Sequence, residues 1–212
     1  MGRTDVTNYE KVKNPVKRYI KFSGETGVFS YWDSEKKQNV ALESLDLILL
    51  DRRASVSGWS DANNSSIYSN FFNSTKDAIT VRAGDKDIIA GTWEANKDAI
   101  KEAGGEYCEN LFALADIDGE WELVALKLTK SALSAWSNFT TENKVKMSTL
   151  YNSLLVVEKG PQQKKGRILY VMPTFRTEAL PADLAKLADE AHRNELKPYL
   201  ERSVKKEETV TA

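Results

Sequence analysis

Rings lie beside cations along much of this 212-residue chain. Lys21 precedes Phe22, Tyr31 precedes Trp32, and Arg52 and Arg53 come shortly before Trp59. Tyr68 and Phe72 lead to Arg82, and Lys164, Lys165 and Arg167 lead to Tyr170. Cations that neutralise phosphates, together with flat rings on which bases stack, are what sequence-independent binding of a single nucleic-acid strand needs; each stack is worth about 1–3 kcal/mol. Packing competes for the same rings. Phe22, Trp93, Tyr107, Phe112, Trp121, Trp136 and Phe139 sit in apolar or helical patterns and read as core, whereas Trp32, Trp59, Tyr68 and Phe72 border polar stretches and read as candidates for exposure.

Other chemistries find fewer residues to use. Asp116, Asp118, Glu120 and Glu122 are hard oxygen ligands in type, but Asp-x-Asp-Gly without the remaining ligands of a calcium loop reads as a turn. His192 is the only histidine; it lies among Glu190, Arg193 and Glu195 with no nucleophile beside it in sequence. Cys108 is the only cysteine, which excludes an internal disulfide and any multi-cysteine zinc site, and it reads as structural. Neither a phosphate-cradling Gly-x-x-x-x-Gly-Lys-Ser/Thr loop nor a Gly-x-Gly-x-x-Gly motif occurs. The expectation is a protein without catalysis, metal or cofactor.

Thirty Lys and Arg against 31 Asp and Glu give a net charge of −1, but the charge is unevenly spread. Residues 1–22 carry six basic groups against Asp5 and Glu10, and residues 159–176 carry five and no acid. Residues 85–122 hold eleven acids against three lysines. Such polarity steers a polyanion to one face. No apolar run reaches the roughly 18 residues of a membrane span, and the opening residues lack a secretory pattern, so a cytoplasmic location and no membrane partner are expected.

The elements that must position these residues are mostly strands. Residues 1–15 read as a flexible arm, 16–202 as a single domain, and 203–212 as a disordered tail. Val16 to Trp32 is aromatic and β-branched around Gly24 and Gly27, either one bent strand or two joined by a tight turn. Val40 to Leu50 is a continuous apolar run suited to the middle of the core. Ile67–Phe72 and Ala78–Arg82 lie on either side of a polar stretch, and the second reads as a strand. Thr92 caps a helix that Gly104-Gly105 ends. Tyr107–Ala115 and Glu120–Leu128 form a hairpin through Asp116–Gly119, and Ala132, Leu133, Trp136 and Phe139 stripe a helix behind Thr129. A second hairpin spans 154–175, with the basic loop Lys159–Gly166 as a flap that swings over a bound strand. A helix over 181–200 starts at Pro181, turns Leu184, Leu187, Ala188, Ala191 and Leu196 inward, and kinks or ends at Pro198.

This order gives a mainly β, α+β fold: a five-stranded barrel of the OB type with a protruding β-hairpin and a C-terminal helix. The sequence also resembles the single-stranded-DNA-binding proteins of tailed bacteriophages. The resemblance rests on Tyr19-Ile20-Lys21-Phe22, Tyr31-Trp32, Leu49-Leu50-Asp51, Val56-Ser57-Gly58-Trp59, Ser69-Asn70, Gly91-Thr92-Trp93, Trp136-Ser137-Asn138-Phe139 and Tyr170-Val171-Met172-Pro173-Thr174-Phe175, over roughly residues 17–200. It implies an OB fold, single-stranded DNA as ligand, and replication or recombination proteins as partners. The family's acidic C-terminal tail has no counterpart in Lys205-Lys206-Glu207-Glu208-Thr209-Val210-Thr211-Ala212, which puts recruitment of partners through the tail in doubt. Two alternatives stay open on the residues alone: a non-enzymatic phage protein-interaction module, and a carboxylate- and metal-dependent nuclease.

Overall fold

The computed structural model describes residues 13–142 and 146–201. Most of the expected N-terminal arm and all of the expected tail lie outside the described residues. Beyond Pro15 the aromatic stretch forms two strands, β1 (Arg18–Ser23) and β2 (Val28–Asp33), paired antiparallel around a turn. The apolar run from Val40 divides at Glu43 into β3 (Gln38–Leu42) and the 17-residue β4 (Ser44–Ser60).

The remaining elements follow as β5 (Ser65–Ser69), β6 (Ala78–Ala83), β7 (Lys86–Thr92), α1 (Trp93–Glu102), β8 (Gly105–Ile117), β9 (Glu120–Leu128), α2 (Lys130–Glu142), α3 (Met147–Leu150), β10 (Ser153–Lys165), β11 (Ile168–Ala179) and α4 (Ala182–Ala191). The local signals for several are met. Thr92 accepts a hydrogen bond from Ala95 N–H as the N-cap of α1, and Asp116 accepts from Gly119 N–H in the β8–β9 turn.

The fold is mainly β with flanking helices, as expected, but the sheet is larger than five strands and open. Eleven strands form one mixed sheet with a main path β3-β2-β1-β9-β8-β4-β5-β6-β7, and β10 with β11 branches from β4. The pairing of β1 with β9 is parallel. No strand pairing among the described residues joins β3 to the β10–β11 branch and closes a ring. The sheet nevertheless curls. Ile20, Phe29 and Tyr31 from β1–β2 share one core cluster with Leu111 and Ala113 from β8 and with Leu155 and Val157 from β10, while Ala132 and Trp136 of α2 cover it. The backbone hydrogen bond from Val171 N–H to Gly24 O, 2.7 Å, ties β11 to the β1–β2 turn.

β4 explains both the apolar run and the branching. One edge pairs with β8 from Leu47 to Gly58; the other pairs with β10 over residues 44–48 and with β5 over residues 57–60. Both faces of its segment 47–50 are buried. Leu45, Leu47 and Leu49 face the curled core, and Ile48 and Leu50 face a second cluster with Phe112 and Leu196. A strand buried on both sides cannot show the alternation of a half-solvated one.

The C-terminal helix departs from its pattern. Ala188, Ala191 and Leu196 are buried, but Leu187 is 39% exposed, and α4 runs on through a π-helical turn at His192–Leu196 into residues 197–201 instead of ending at Pro198. Proline lacks an N–H and clashes with the carbonyl four residues back, and the wider turn just ahead of Pro198, with Lys197 N–H bonded to His192 O, loosens the helix there.

Where β4 meets β8 at the end of the sheet, Gly58 pairs with Gly105, and a Cβ on Gly58 would lie 2.0 Å from Gly104 O. Backbone on both sides leaves no flexible side chain to yield. Gly58→Ala is therefore expected to destabilise the protein by about 1–3 kcal/mol, read as a lower urea midpoint at unchanged slope.

Candidate nucleic-acid interface

Successive side chains on a strand alternate between faces, and residues paired across a ladder share one. The register therefore sorts the candidate residues. Ser30, Lys21, Lys127, Asn110 and Arg53 form one row across β2, β1, β9, β8 and β4. Trp32 lies two residues from Ser30, and Ser57 and Trp59 lie four and six from Arg53, all on the same face. Tyr68 pairs with Ser57, and Arg82 pairs with Tyr68, so both join it. Trp32 is 60% exposed, Trp59 51% and Tyr68 43%. Trp59 pairs with Ser66, which makes it the diagonal neighbour of Tyr68.

A groove of 460 Å³ opens on this face. Its walls include Lys21, Lys127, Lys130 and Tyr68, with Ser57, Gly58 and Ser66 between them. A second groove, sharing Phe22, Thr129 and Lys130 with the first, continues past Ser131 and Ser134 to Lys165 and Tyr170 on the β10–β11 hairpin. Four lysines line the two grooves against Glu106 and Glu25, and Glu106 is engaged by Lys130 at 3.0 Å. Lys21, Lys127 and Lys165 form no ion pair among the described residues. Lys21 and Lys127 are direct partners in the parallel β1–β9 ladder, which puts like charges about 4.8 Å apart at their backbones. Like charges directly opposite each other destabilise a sheet unless an anion lies between them.

Two candidate rings are in the core. Tyr31 is 3% exposed and packs inward beside Phe29, with the Arg18 guanidinium 4.4 Å from its ring centroid. Phe72 is 3% exposed; it bridges to Ala54 and packs edge-on against Tyr107 at 5.9 Å. Neither offers a face to a base. The first correction follows from the two-residue period, because neighbours such as Tyr31-Trp32 point to opposite sides; Phe72 is buried instead by the cluster that Tyr107 joins from β8. Phe71 packs on Phe112 in one cluster while Phe72 enters another. Of the rings assigned to the core, Phe112 and Trp136 are fully enclosed, and Phe22, Trp93, Tyr107, Trp121 and Phe139 are partly so.

The arginines separate in the same way. Arg52 pairs with Leu111 in the ladder, on the face opposite Arg53, and its guanidinium binds Glu109 at 2.8 Å. Arg53 shares the groove's face but holds Asp51 at 2.9 Å and Asn73. Arg82 binds Asp87 at 2.6 Å. Glu122 is likewise taken, by Arg18 at 2.6 Å.

No family model, curated protein or solved structure matches this chain.

The expected flap is paired strand. Lys159–Lys165 pairs with Ile168–Pro173, with a bulge at Gly160-Pro161, leaving Gly166-Arg167 as a two-residue turn. Gly166 has φ +63° at the first turn position, as the hairpin turns that suit strand twist require. Lys164, Lys165 and Arg167 are exposed on this arm, and the Tyr170 hydroxyl donates to Gln163 Oε1 at 3.2 Å. The structure thus gathers Lys21, Tyr68, Lys165 and Tyr170 along the grooves, with Trp32 and Trp59 on the face outside them. Lys127 and Lys130 were not singled out from sequence. Lys127 between Leu126 and Leu128 is legible as an outward position, but its parallel partnership with Lys21, 106 residues away, is not.

Two consequences are measurable. Phe72→Ala is expected to cost about 3–5 kcal/mol of stability, as an emptied aromatic core site does, and Trp59→Ala to change stability little; chemical unfolding separates them. Burial pushes the Tyr107 hydroxyl up to about 12, with Glu109 adding to the rise, and burial also raises Tyr151 and Tyr199. The folded state therefore holds protons that the unfolded chain loses near the ordinary value of 10.0. Stability is expected to be intact below that pH and to fall as pH rises toward about 12, and Tyr107→Phe should reduce the fall in the urea midpoint.

Proposed function

We propose that this protein binds single-stranded DNA without sequence preference and without catalysis, as a phage replication or recombination protein acting in the host cytoplasm. The observation that carries the reading is the in-register pair Lys21 and Lys127, which form no ion pair among the described residues and lie with Tyr68 in one groove that adjoins, at Lys130, a second groove lined by Tyr170. A phosphate chain relieves the repulsion between such lysines, and exposed rings give its bases flat surfaces irrespective of identity. The serines and backbone along the groove supply uncharged hydrogen-bonding groups to phosphate and sugar, which position a strand without reading it.

The curled part of the sheet, from β2 through β1, β9, β8 and β4 to β10, is read as an opened OB-type barrel. On that reading β5–β7 extend one side and the β10–β11 hairpin projects from another. The strand crosses the outer face of β1 and β9, enters between Tyr68 and Lys130, and leaves along Lys165 and Tyr170. Arg52 and Arg82, each bound to an acid, contribute less to phosphate binding than the three unpaired lysines.

Tryptophan fluorescence titrated with oligo(dT) tests this directly. Quenching is expected, and affinity should fall by about tenfold or more between roughly 50 and 200 mM salt if three phosphates are contacted. Lys21→Ala with Lys127→Ala should lower the slope of log affinity against log salt by about 1.4, at roughly 0.7 per lost contact, with melting temperature little changed. Trp59→Ala should weaken binding by about 1–3 kcal/mol if bases stack there. Binding indifferent to salt, or a double lysine variant with the wild-type slope, would overturn the proposal.

A further inference from the structure

At the tip of the β10–β11 hairpin, Ile168 is 70% exposed and Leu169 54%. Both border the second groove, yet neither belongs to a core cluster. Ile168 pairs with Lys165 and Leu169 with Lys164, so the two apolar side chains point to opposite faces of the arm, each beside a lysine. Arg167 sits in the turn between Lys165 and Ile168, and none of Lys164, Lys165 and Arg167 has an acidic partner among the described residues. The ladder runs to Lys165–Ile168 beside a two-residue turn, so the tip is held by paired strand. Lower down, Gly160 packs so closely that a Cβ there would lie 2.2 Å from Met172 O, and Val171 N–H is bonded to Gly24 O. The arm is anchored at its base and paired to its end.

We infer that this tip is a wedge that unstacks bases where single strand meets duplex, with Ile168 and Leu169 taking the place of the next base pair. The inference rests on the proposed binding of single-stranded DNA and adds a second action to it. Exposed apolar side chains ringed by unpaired cations match a ligand with anionic edges and an apolar interior, and a stack of bases between two phosphate chains is one. Wedges of Ile and Leu open base steps in other DNA-binding proteins at a cost of a few kcal/mol per step, recovered through added contacts. Here the lysines beside the wedge supply those contacts, and the groove ending at Tyr170 receives the released strand.

The experiment uses the full chain and a duplex with a single-stranded overhang, with 2-aminopurine in the base pair at the junction. At saturating protein the wild type is expected to raise 2-aminopurine emission several-fold, reporting loss of stacking. The double variant Ile168→Ala, Leu169→Ala at saturation should leave emission near that of free duplex, and Ile168→Phe with Leu169→Phe should restore the rise. Saturation removes any difference in affinity, and both substituted positions are exposed, so the fold is not at stake. An equal rise with the alanine variant would overturn the wedge while leaving strand binding intact. Failure of the wild type to bind oligo(dT) at low salt would overturn the binding proposal and the wedge with it. Wild-type binding to phosphatidylserine vesicles that the alanine variant loses, with no 2-aminopurine response, would assign the tip to a lipid surface and overturn the wedge.

Discussion

The double pairing of β4 is the constraint on which the rest of the molecule depends. A 17-residue strand that pairs along one edge with β8 and divides its other edge between β10 and β5 joins the curled region, the hairpin branch and the β5–β7 extension in one sheet. The extra residue between Leu49 and Asp51 shifts its phase, so that Leu49 faces the curled core while Asp51 and Arg53 point outward. That shift places Ser57 and Trp59 on the face that carries Lys21 and Lys127. A strand flat and regular throughout would have turned the other set of side chains to the groove.

Charge across the sheet is arranged by engagement as much as by position. Arg18, Arg52, Arg53 and Arg82 each hold a carboxylate within 3 Å, and the Arg18–Glu122 and Arg52–Glu109 pairs tie β1 to β9 and β4 to β8. Lysines instead line the grooves, and three of the four there hold no acid among the described residues. A compact ammonium on a flexible stem follows a mobile phosphate chain at less geometric demand than a guanidinium already committed to a carboxylate. The net charge near zero therefore conceals a groove with an excess of positive charge.

The hairpin shows how a local irregularity lets a sequence that looks like a loop pair as strand. Gly160 and Pro161 fall at the bulge, where a missing N–H costs no ladder bond, and Gly166 supplies the positive φ of the turn. With those positions accommodated, the Gln and Lys residues between them pair as strand. The polar composition that suggests a solvated loop instead reflects an arm exposed on both faces.

Much of this was legible from sequence, because the signals were local. The Thr92 cap, the Asp116–Gly119 turn, the Trp136–Phe139 stripe and the basic hairpin each depend on residues within a few positions of one another, and the mainly β class follows from their sum. Alternation alone also carried information that pairing neighbours obscured: Tyr31 had to be inward if Trp32 was outward, and Arg52 opposite Arg53. Tertiary structure alone decided which strands are neighbours. The Lys21–Lys127 partnership spans 106 residues, the openness of the sheet depends on whether distant edges meet, and the burial of Phe72 depends on Tyr107 arriving from another strand. Such contacts are set by the packing of whole faces against one another, and no short window of sequence contains both partners.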